Sequence, residues 1–193
     1  MYPEHLNQFR FILASKSPRR QYLLRELGID FELETKEVDE SFPEHLERDD
    51  IPLFLSRKKA DAFERELDEN TIVITADTIV WINGHVLNKP QDAEDAKVML
   101  MELSGNKHEV YTGVCLKSSK KEISFSVKTD VFFKELTEGE IDFYIATYKP
   151  FDKAGAYGAQ EFIGYIGMER IEGSYFNVMG LPVKEMYEEL CKF

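Results

Sequence analysis

Residues 11–28 read FILASKSPRRQYLLRELG, and this stretch is the first structured unit that the sequence marks clearly. It begins with four apolar residues of the buried strand type, and a short polar turn follows them. Ser17 is a typical N-cap, and Pro18 suits the first helical position, where its missing N–H costs nothing. The apolar spacing that follows predicts a helix ending near Gly28. The sequence therefore predicts a strand, a tight turn and a helix.

Helical and strand patterns continue to alternate along the rest of the chain. Extended or strand patterns lie at 29–38, 71–76, 79–82, 109–117 and 123–134, and helical patterns at 50–67, 92–103, 137–148 and 182–192. The clearest strand is TIVITA at 71–76, and a second apolar run after it leads to an Asn83-Gly84 hairpin turn. This interleaving predicts an α/β fold, a mixed twisted sheet with flanking helices.

Length and charge limit the class of protein. The chain has 193 residues, with 24 basic and 36 acidic side chains and a net charge of −12. No break in composition divides it, so we expect a single domain over residues 1–193. A hydrophobic content of 43% excludes wholesale disorder. The negative charge disfavours nucleic acids and anionic membranes as partners, but not a small anionic ligand in a locally cationic site.

The cellular location is predicted from what the sequence does not contain. No segment has the pattern of a signal peptide or the length of a membrane span. The cysteines are Cys115 and Cys191, which form neither a disulfide framework nor a metal-binding spacing. We therefore expect a cytoplasmic protein.

Arg19 and Arg20 fall in the first turn of the first predicted helix, where the helix dipole disfavours cations. A helix N-terminus attracts phosphate, and the arginine side chain binds phosphate through two parallel hydrogen bonds. One interpretation is therefore a polyanion bound at this turn. The other is two solvated surface arginines, and the local pattern does not choose between them.

Asp77 is a second candidate, because it follows six residues of buried strand pattern and is expected at the end of that strand. A carboxylate there costs free energy unless it is paired or acts on a metal or a water molecule. It would serve as a general base toward a hydrolytic water, or help to hold Mg²⁺. An isolated aspartate is more often the cap of a local turn.

Lysines and an acidic run give weaker signals. Lys59 lies in a charged helix, while Lys89 and Lys153 follow structural breaks, and each alone is typical of a solvated surface. The acidic run 37–40 would bind a divalent cation through oxygen, although such runs are usually solvated as well. Motifs of P-loop enzymes, serine hydrolases and zinc proteases are absent.

Taken in order, these pieces resemble the Maf family of nucleotide pyrophosphatases. Each motif is short, but their order and spacing span nearly the whole chain. The matching segments are ASKSPRR at 14–20, VDE at 38–40, KA at 59–60, ADT at 76–78, KP at 89–90, LSG at 103–105, VYTG at 110–113, KAGAYGAQ at 153–160 and VMGLP at 178–182.

The resemblance implies a fold related to the inosine-triphosphate pyrophosphatases, with two lobes around a central cleft, and often a homodimer. It implies hydrolysis of a nucleoside triphosphate to the monophosphate and pyrophosphate with a divalent metal, Mg²⁺ or Mn²⁺. At matching positions it makes Asp77 the proton acceptor, and Glu40 and Asp77 the metal residues. The resemblance assigns the binding of the substrate phosphates to Ser15, Arg20, Lys59, Lys89 and Lys153.

The family divides by base preference at three positions, which are occupied here by Arg19, Thr78 and Gln160. These residues match the branch that takes dTTP and UTP, whereas the 7-methyl-GTP branch has Trp, Gln and Glu. A glutamine amide both donates and accepts, which suits the edge of uracil or thymine. Glu161 departs from the family pattern, which has glycine at this position, so the resemblance does not predict the conformation of the loop around Gln160.

The resemblance therefore predicts a dTTP/UTP pyrophosphatase that also removes noncanonical pyrimidine triphosphates. Two alternatives remain. One is a pyrophosphatase of the 7-methyl-GTP type, and the other is a non-catalytic regulator of septum formation and cell-division arrest.

Overall fold

The computed structural model describes residues 4–193. In that range the strands are β1 (Arg10–Leu13), β2 (Phe31–Leu33), β3 (Thr71–Ile82), β4 (His85–Leu87), β5 (Lys107–Lys117), β6 (Glu122–Phe133) and β7 (Met168–Glu172). The helices are α1 (Pro18–Glu26), α2 (Asp50–Asp61), α3 (Ala93–Leu103), α4 (Glu138–Tyr148), α5 (Phe162–Gly167), α6 (Tyr175–Val178) and α7 (Val183–Leu190). None of these helices has both the length and the apolar character needed to span a bilayer.

The strands form one mixed sheet in the order β2-β1-β3-β5-β6-β7, with β4 paired to β3. β1 is parallel to both β2 and β3, while β4 is antiparallel to β3 and β7 is antiparallel to β6. The predicted α/β class with a mixed sheet and flanking helices is confirmed.

Two compact units make up the chain. Unit 1 consists of Met1–Asp77, of which the structure describes residues 4–77, together with Thr112–Val127 and Gly180–Phe193. Unit 2 consists of Thr78–Tyr111 and Lys128–Met179. The prediction of a single domain stays a prediction.

The strand, turn and helix that open unit 1 form as the sequence predicts. β1 is buried beyond its first residue. Ser17 caps α1, since its hydroxyl accepts a hydrogen bond from the N–H of Arg20 at 3.5 Å. Pro18 is the first residue of the helix, and Gly28 follows its end with a φ of +74° that favours glycine. Local signals therefore place Arg20 in the first turn of a helix that follows β1 after a short turn.

α2 lies against β5 at a point that only glycine allows. A Cβ at Gly113 would lie 2.3 Å from both the carbonyl carbon and the oxygen of Pro52, which are backbone atoms in the first turn of α2. The prediction that this helix reaches residue 67 was wrong. Phe63 is buried, and its N–H donates to Ala60 three residues back at 3.0 Å, so the helix tightens and ends at Asp61.

β3 is a continuous strand of 12 residues, so the prediction that Asp77 lies at the end of a strand was wrong. β1 pairs with residues 71–74 of β3, and β4 pairs with residues 80–82. Asp77 therefore lies inside the strand, between the stretches that contact these two partners.

Further elements differ from the sequence prediction, and the short helices α5 and α6 are among those that it did not include. The extended segment predicted at 29–38 contributes only the three-residue β2, which pairs with the equally short part of β1 beside it. β7 was not predicted, because its strand lies within a glycine-rich and aromatic segment.

Two helices of unit 2, α3 and α4, begin as predicted. Asp92 caps α3 by accepting the N–H of Asp95 at 2.9 Å. Thr137 and Glu140 form a reciprocal capping box at the start of α4. One apolar core joins these helices to the strands of the unit, and it includes Leu100, Val131, Ile141, Tyr144 and Ile163.

Candidate active site

One lysine bridges two carboxylates in unit 1. Lys59 Nζ lies 2.6 Å from Oδ1 of Asp77 and 2.9 Å from Oε1 of Glu40. The side chains of Lys59 and Asp77 are 17% and 14% exposed, whereas Glu40 is half exposed. The charge of Asp77 is therefore compensated in a largely dehydrated position, where electrostatic interactions are stronger than in water.

A buried hydrogen bond sets the register that brings Lys59 to Asp77. The hydroxyl of Thr75 donates to the carbonyl oxygen of Ser56 at 2.6 Å, which ties β3 to α2. Lys59 follows Ser56 by three residues, so it lies on the same face of the helix. Asp77 follows Thr75 by two residues, so both side chains point to the same face of the sheet. The contact at Gly113 fixes the other end of α2.

Arg20 is held by backbone carbonyl groups next to Asp77. Its Nε donates to the oxygen of Gly180 at 2.8 Å, and its Nη1 donates to the oxygen of Ala76 at 2.7 Å. The same Nη1 lies 3.5 Å from Oγ of Ser15. Burial lowers the pKa of the Arg20 guanidinium, and the negative charge of Asp77 opposes that shift. Arg20 is therefore not a solvated surface side chain.

The other predicted residues of the first turn lie close by. Oγ of Ser15 also accepts the N–H of Ser17 at 3.2 Å, which shapes the turn between β1 and α1. Arg19 is partly exposed, and its positive charge contributes to the lowered pKa of Arg20. Unit 1 thus brings together five of the residues predicted from sequence, with Arg19 beside them: Ser15, Arg20, Glu40, Lys59 and Asp77.

Lys153 in unit 2 is also paired with two carboxylates. Its side chain is only 8% exposed, and Nζ lies 2.7 Å from Oδ1 of Asp152 and 3.1 Å from Oε1 of Glu161. The hydroxyl of Tyr144 donates to Oε2 of Glu161 at 2.5 Å and accepts the N–H of Gly158 at 3.0 Å. Lys153 is therefore part of a network that reaches the buried side of α4.

The remaining predicted residues lie in unit 2. Lys89 is exposed, and its loop lies beside the turn after Lys153, because the N–H of Gly155 donates to the carbonyl oxygen of Asn88 at 3.2 Å. Gln160 is exposed and directly precedes Glu161. Thr78 is partly buried in β3. The roles predicted for these residues stay predictions.

Sequence reasoning missed four residues that hold these side chains in place. Each of them acts through a contact that no local sequence pattern predicts. They are Thr75, Tyr144, Glu161 and Gly180. The sequence does draw attention to Glu161, because this residue departs from the family pattern at its position.

The predicted metal role of Glu40 and Asp77 can be compared with the positions of their carboxylates. Within residues 4–193, no group of three or more Asp, Glu, His or Cys side chains would hold a metal ion. Asp77 and Glu40 nevertheless both contact the ammonium of Lys59, so both lie around one cationic position. Mg²⁺ is usually bound by one or two carboxylates, with substrate phosphates and water as its other ligands. Two carboxylates match that requirement.

Comparisons with known proteins find one family and closely similar relatives that match nearly the whole chain. A family model described as Maf-like protein matches residues 10–193. The dTTP/UTP pyrophosphatase of Phocaeicola vulgatus is 50% identical over 190 residues, covering 98% of both chains. The dTTP/UTP pyrophosphatase of Parabacteroides distasonis is 48% identical over 191 residues, covering 98% of this chain and 99% of its own.

Among solved structures, the similarity is more distant. A nucleoside-triphosphatase, or dITP/XTP pyrophosphatase, from Mycobacterium abscessus is 17% identical with a TM-score of 0.40. The match covers 65% of this chain and 73% of that one.

Proposed function

This chain belongs to the Maf-like protein family, and from that premise we propose that it hydrolyses dTTP and UTP to the nucleoside monophosphate and pyrophosphate. Relatives that are about half identical over nearly the whole chain carry that activity in their names. The structural observation that carries the proposal is the Asp77 carboxylate, held 2.6 Å from Lys59 in a largely dehydrated position.

The reaction needs a base next to the water that attacks the α-phosphorus. In this proposal Asp77 orients that water and accepts its proton, while Lys59 and β3 hold the carboxylate in place. An ammonium group has three donors, and Asp77 and Glu40 take two of them. Lys59 can therefore hold the base and still donate to one phosphate oxygen.

Departure of pyrophosphate builds negative charge on the bridging oxygen and the leaving group. We assign the stabilisation of that charge to cationic side chains and the Ser15 hydroxyl, as the match to the family pattern suggests. The assigned residues are Ser15, Arg20, Lys59, Lys89 and Lys153. Arg20 supports this role because its position is fixed by the carbonyl groups of Ala76 and Gly180, so little conformational entropy is lost on binding.

A divalent cation, Mg²⁺ or Mn²⁺, would be held by Glu40 and Asp77, and when bound it would neutralise charge on the phosphates. Glu40 suits this role because it is half exposed and able to meet an incoming metal–nucleotide complex.

Base preference is assigned to Arg19, Thr78 and Gln160. The side chain of Gln160 is exposed, so a base can reach it, and its amide can donate to and accept from the pyrimidine edge. Noncanonical pyrimidine triphosphates that keep this edge are expected substrates as well, which is consistent with a house-cleaning role.

The deciding experiment measures pyrophosphate release from UTP, dTTP and 7-methyl-GTP with Mg²⁺ present. We expect turnover of the two pyrimidine nucleotides. Activity on 7-methyl-GTP alone would overturn the base assignment. The absence of hydrolysis across a full nucleotide panel would favour a non-catalytic regulator of septum formation.

The cytoplasmic location and the homodimer stay predictions. The lack of nucleic-acid binding also stays a prediction, and tight, salt-sensitive binding to duplex DNA would contradict it.

A further inference from the structure

Lys153 and Gln160 lie in one loop, residues 153–161, whose two ends are joined by the ion pair between Lys153 and Glu161. We propose that Glu161 is a positioning residue that fixes this loop for substrate binding by anchoring it to Tyr144. The inference rests on the proposed function, in which Lys153 meets the phosphates and Gln160 meets the base.

The first step is the charge of Lys153. A nearly buried ammonium costs free energy unless carboxylates surround it. Asp152 supplies one carboxylate, but that side chain is 65% exposed, so solvent screens its attraction. Glu161 is 24% exposed and supplies the more buried carboxylate. The place of the Lys153 ammonium therefore depends mainly on Glu161.

The second step is the anchor of Glu161 itself. Its other oxygen accepts a hydrogen bond from the hydroxyl of Tyr144 at 2.5 Å. Tyr144 is fully buried on α4 and stacks on Tyr148 with ring centroids 5.1 Å apart. Burial and the charge of Glu161 raise the pKa of Tyr144, so the hydroxyl stays protonated and keeps donating at neutral pH.

The third step connects this anchor to Gln160. The N–H of Gly158 donates to the hydroxyl of Tyr144 at 3.0 Å. A Cβ on Gly158 would lie 2.7 Å from Oε2 of Glu161, so the carboxylate packs directly against the loop backbone. Gln160 lies between Gly158 and Glu161 in the chain, so the backbone is fixed on both sides of it while its side chain remains exposed.

The fourth step is the residue type at position 161. A glycine there has no carboxylate and would leave Lys153 with the exposed Asp152 alone. Glycine would leave the backbone at this position flexible, whereas Glu161 connects Lys153, the proposed phosphate-binding residue, to the backbone beside Gln160, the proposed base-binding residue. A preformed binding loop costs less entropy when a ligand binds, so the link improves affinity.

The test compares Glu161→Ala, Glu161→Gln and Tyr144→Phe with Glu169→Ala, a control that removes an exposed carboxylate of β7 in the same unit. Steady-state kinetics are measured with UTP and CTP. Loss of Glu161 removes hydrogen bonds to a charged group, so we expect KM for UTP to rise about tenfold. We expect kcat to change less, because Asp77 is untouched.

The ratio of kcat/KM for UTP over CTP separates positioning from general damage. A merely destabilised enzyme loses activity on both nucleotides alike, whereas a displaced Gln160 lowers the ratio. Glu161→Gln keeps the size of the side chain and its bond to Tyr144 but removes the charge, so we expect an intermediate KM and a nearly normal ratio.

Amide hydrogen exchange at Gly158 provides a readout that needs no activity. Exchange should be slow in the wild-type protein and faster in Tyr144→Phe and Glu161→Ala. If the wild type hydrolyses no nucleotide, the proposed function fails and the exchange data still test the anchor. If Glu161→Ala matches the wild type in KM, in the UTP-to-CTP ratio and in Gly158 exchange, the inference is overturned.

Discussion

Lys59 holds Asp77 by a 2.6 Å contact between its ammonium and Oδ1 of the carboxylate. The variant Asp77→Asn keeps the shape of the side chain and an oxygen that Lys59 can bind, but the amide cannot accept a proton. We expect kcat to fall by a factor of about 10²–10⁴, the usual contribution of a general base. Binding of UTP, measured by calorimetry at saturating Mg²⁺, should change only slightly.

The matched control for this variant is Asp30→Asn, which alters an exposed aspartate of the same unit. It should retain wild-type pyrophosphate release. Full activity of Asp77→Asn would remove Asp77 as the base and leave the 2.6 Å pair with a structural role only.

The close approach at Gly113 gives a prediction on stability and activity together. In Gly113→Ala the new Cβ would meet the backbone of Pro52 at 2.3 Å, and backbone atoms cannot rotate away. We expect the free energy of unfolding, measured in urea, to fall by about 1–3 kcal/mol, as for other overpacked cores. We also expect kcat to fall, because α2 carries Lys59.

Gly139→Ala is the control, because a Cβ at this helical glycine meets nothing within 4 Å. It should leave kcat unchanged and stabilise the protein slightly, since alanine favours helix more than glycine does. Equal stability and kcat in Gly113→Ala and the wild type would contradict the claim that the contact at Gly113 fixes α2.

The elements that the sequence predicted correctly are those set by neighbouring residues. Ser17 and Pro18 define the start of α1, and Thr137 and Glu140 define the start of α4, because each signal lies within one helical turn. The order of short motifs made Asp77 a candidate base from the sequence alone, and that role stays a prediction.

Contacts between distant residues could not be predicted in the same way. Asp77 interrupts an apolar run and so resembles a strand end, yet β3 continues because its pairing passes from β1 to β4. The bond from Thr75 to Ser56 joins residues 19 positions apart. Tyr144 and Glu161 are 17 apart. Packing of whole elements sets such contacts, and hydrophobic periodicity carries no information about them.

The buried His108 makes stability depend on pH. Its Nε2 lies 2.8 Å from the hydroxyl of Tyr157, and burial lowers the pKa of His108 from 6.5 to about 3. The unfolded chain therefore binds a proton below pH 6.5 that the folded protein does not bind until about pH 3. The stability due to the neutral histidine is complete above pH 6.5 and is lost as the pH falls, by up to ~1.4 kcal/mol per pH unit.

Urea unfolding between pH 7 and pH 4 measures this dependence. The double variant His108→Phe with Tyr157→Phe removes the titrating group without leaving a lone buried polar atom. The slope of the free energy of unfolding against pH should therefore decrease by the amount that corresponds to about one proton. His85→Gln is the control, because His85 is exposed. A double variant with the wild-type slope would assign the acid sensitivity to other groups.

Glu40 provides the prediction on metal dependence. EDTA should abolish pyrophosphate release, and added Mg²⁺ or Mn²⁺ should restore it. Glu40→Gln removes one of the two negative charges around the proposed metal position, and ligand charge governs cation affinity. We expect the Mg²⁺ concentration for half-maximal activity to rise about tenfold, with kcat at saturating Mg²⁺ close to the wild-type value.

Glu40 also contacts Lys59 at 2.9 Å, so the two effects of this variant must be separated. If Glu40 acts only by orienting Lys59, kcat at saturating Mg²⁺ falls and the half-maximal Mg²⁺ concentration does not move. That pattern would contradict the metal role. Glu37→Gln removes an exposed carboxylate of the same acidic run and serves as the control, because only a change specific to Glu40 can distinguish a metal-binding side chain from the general loss of negative charge.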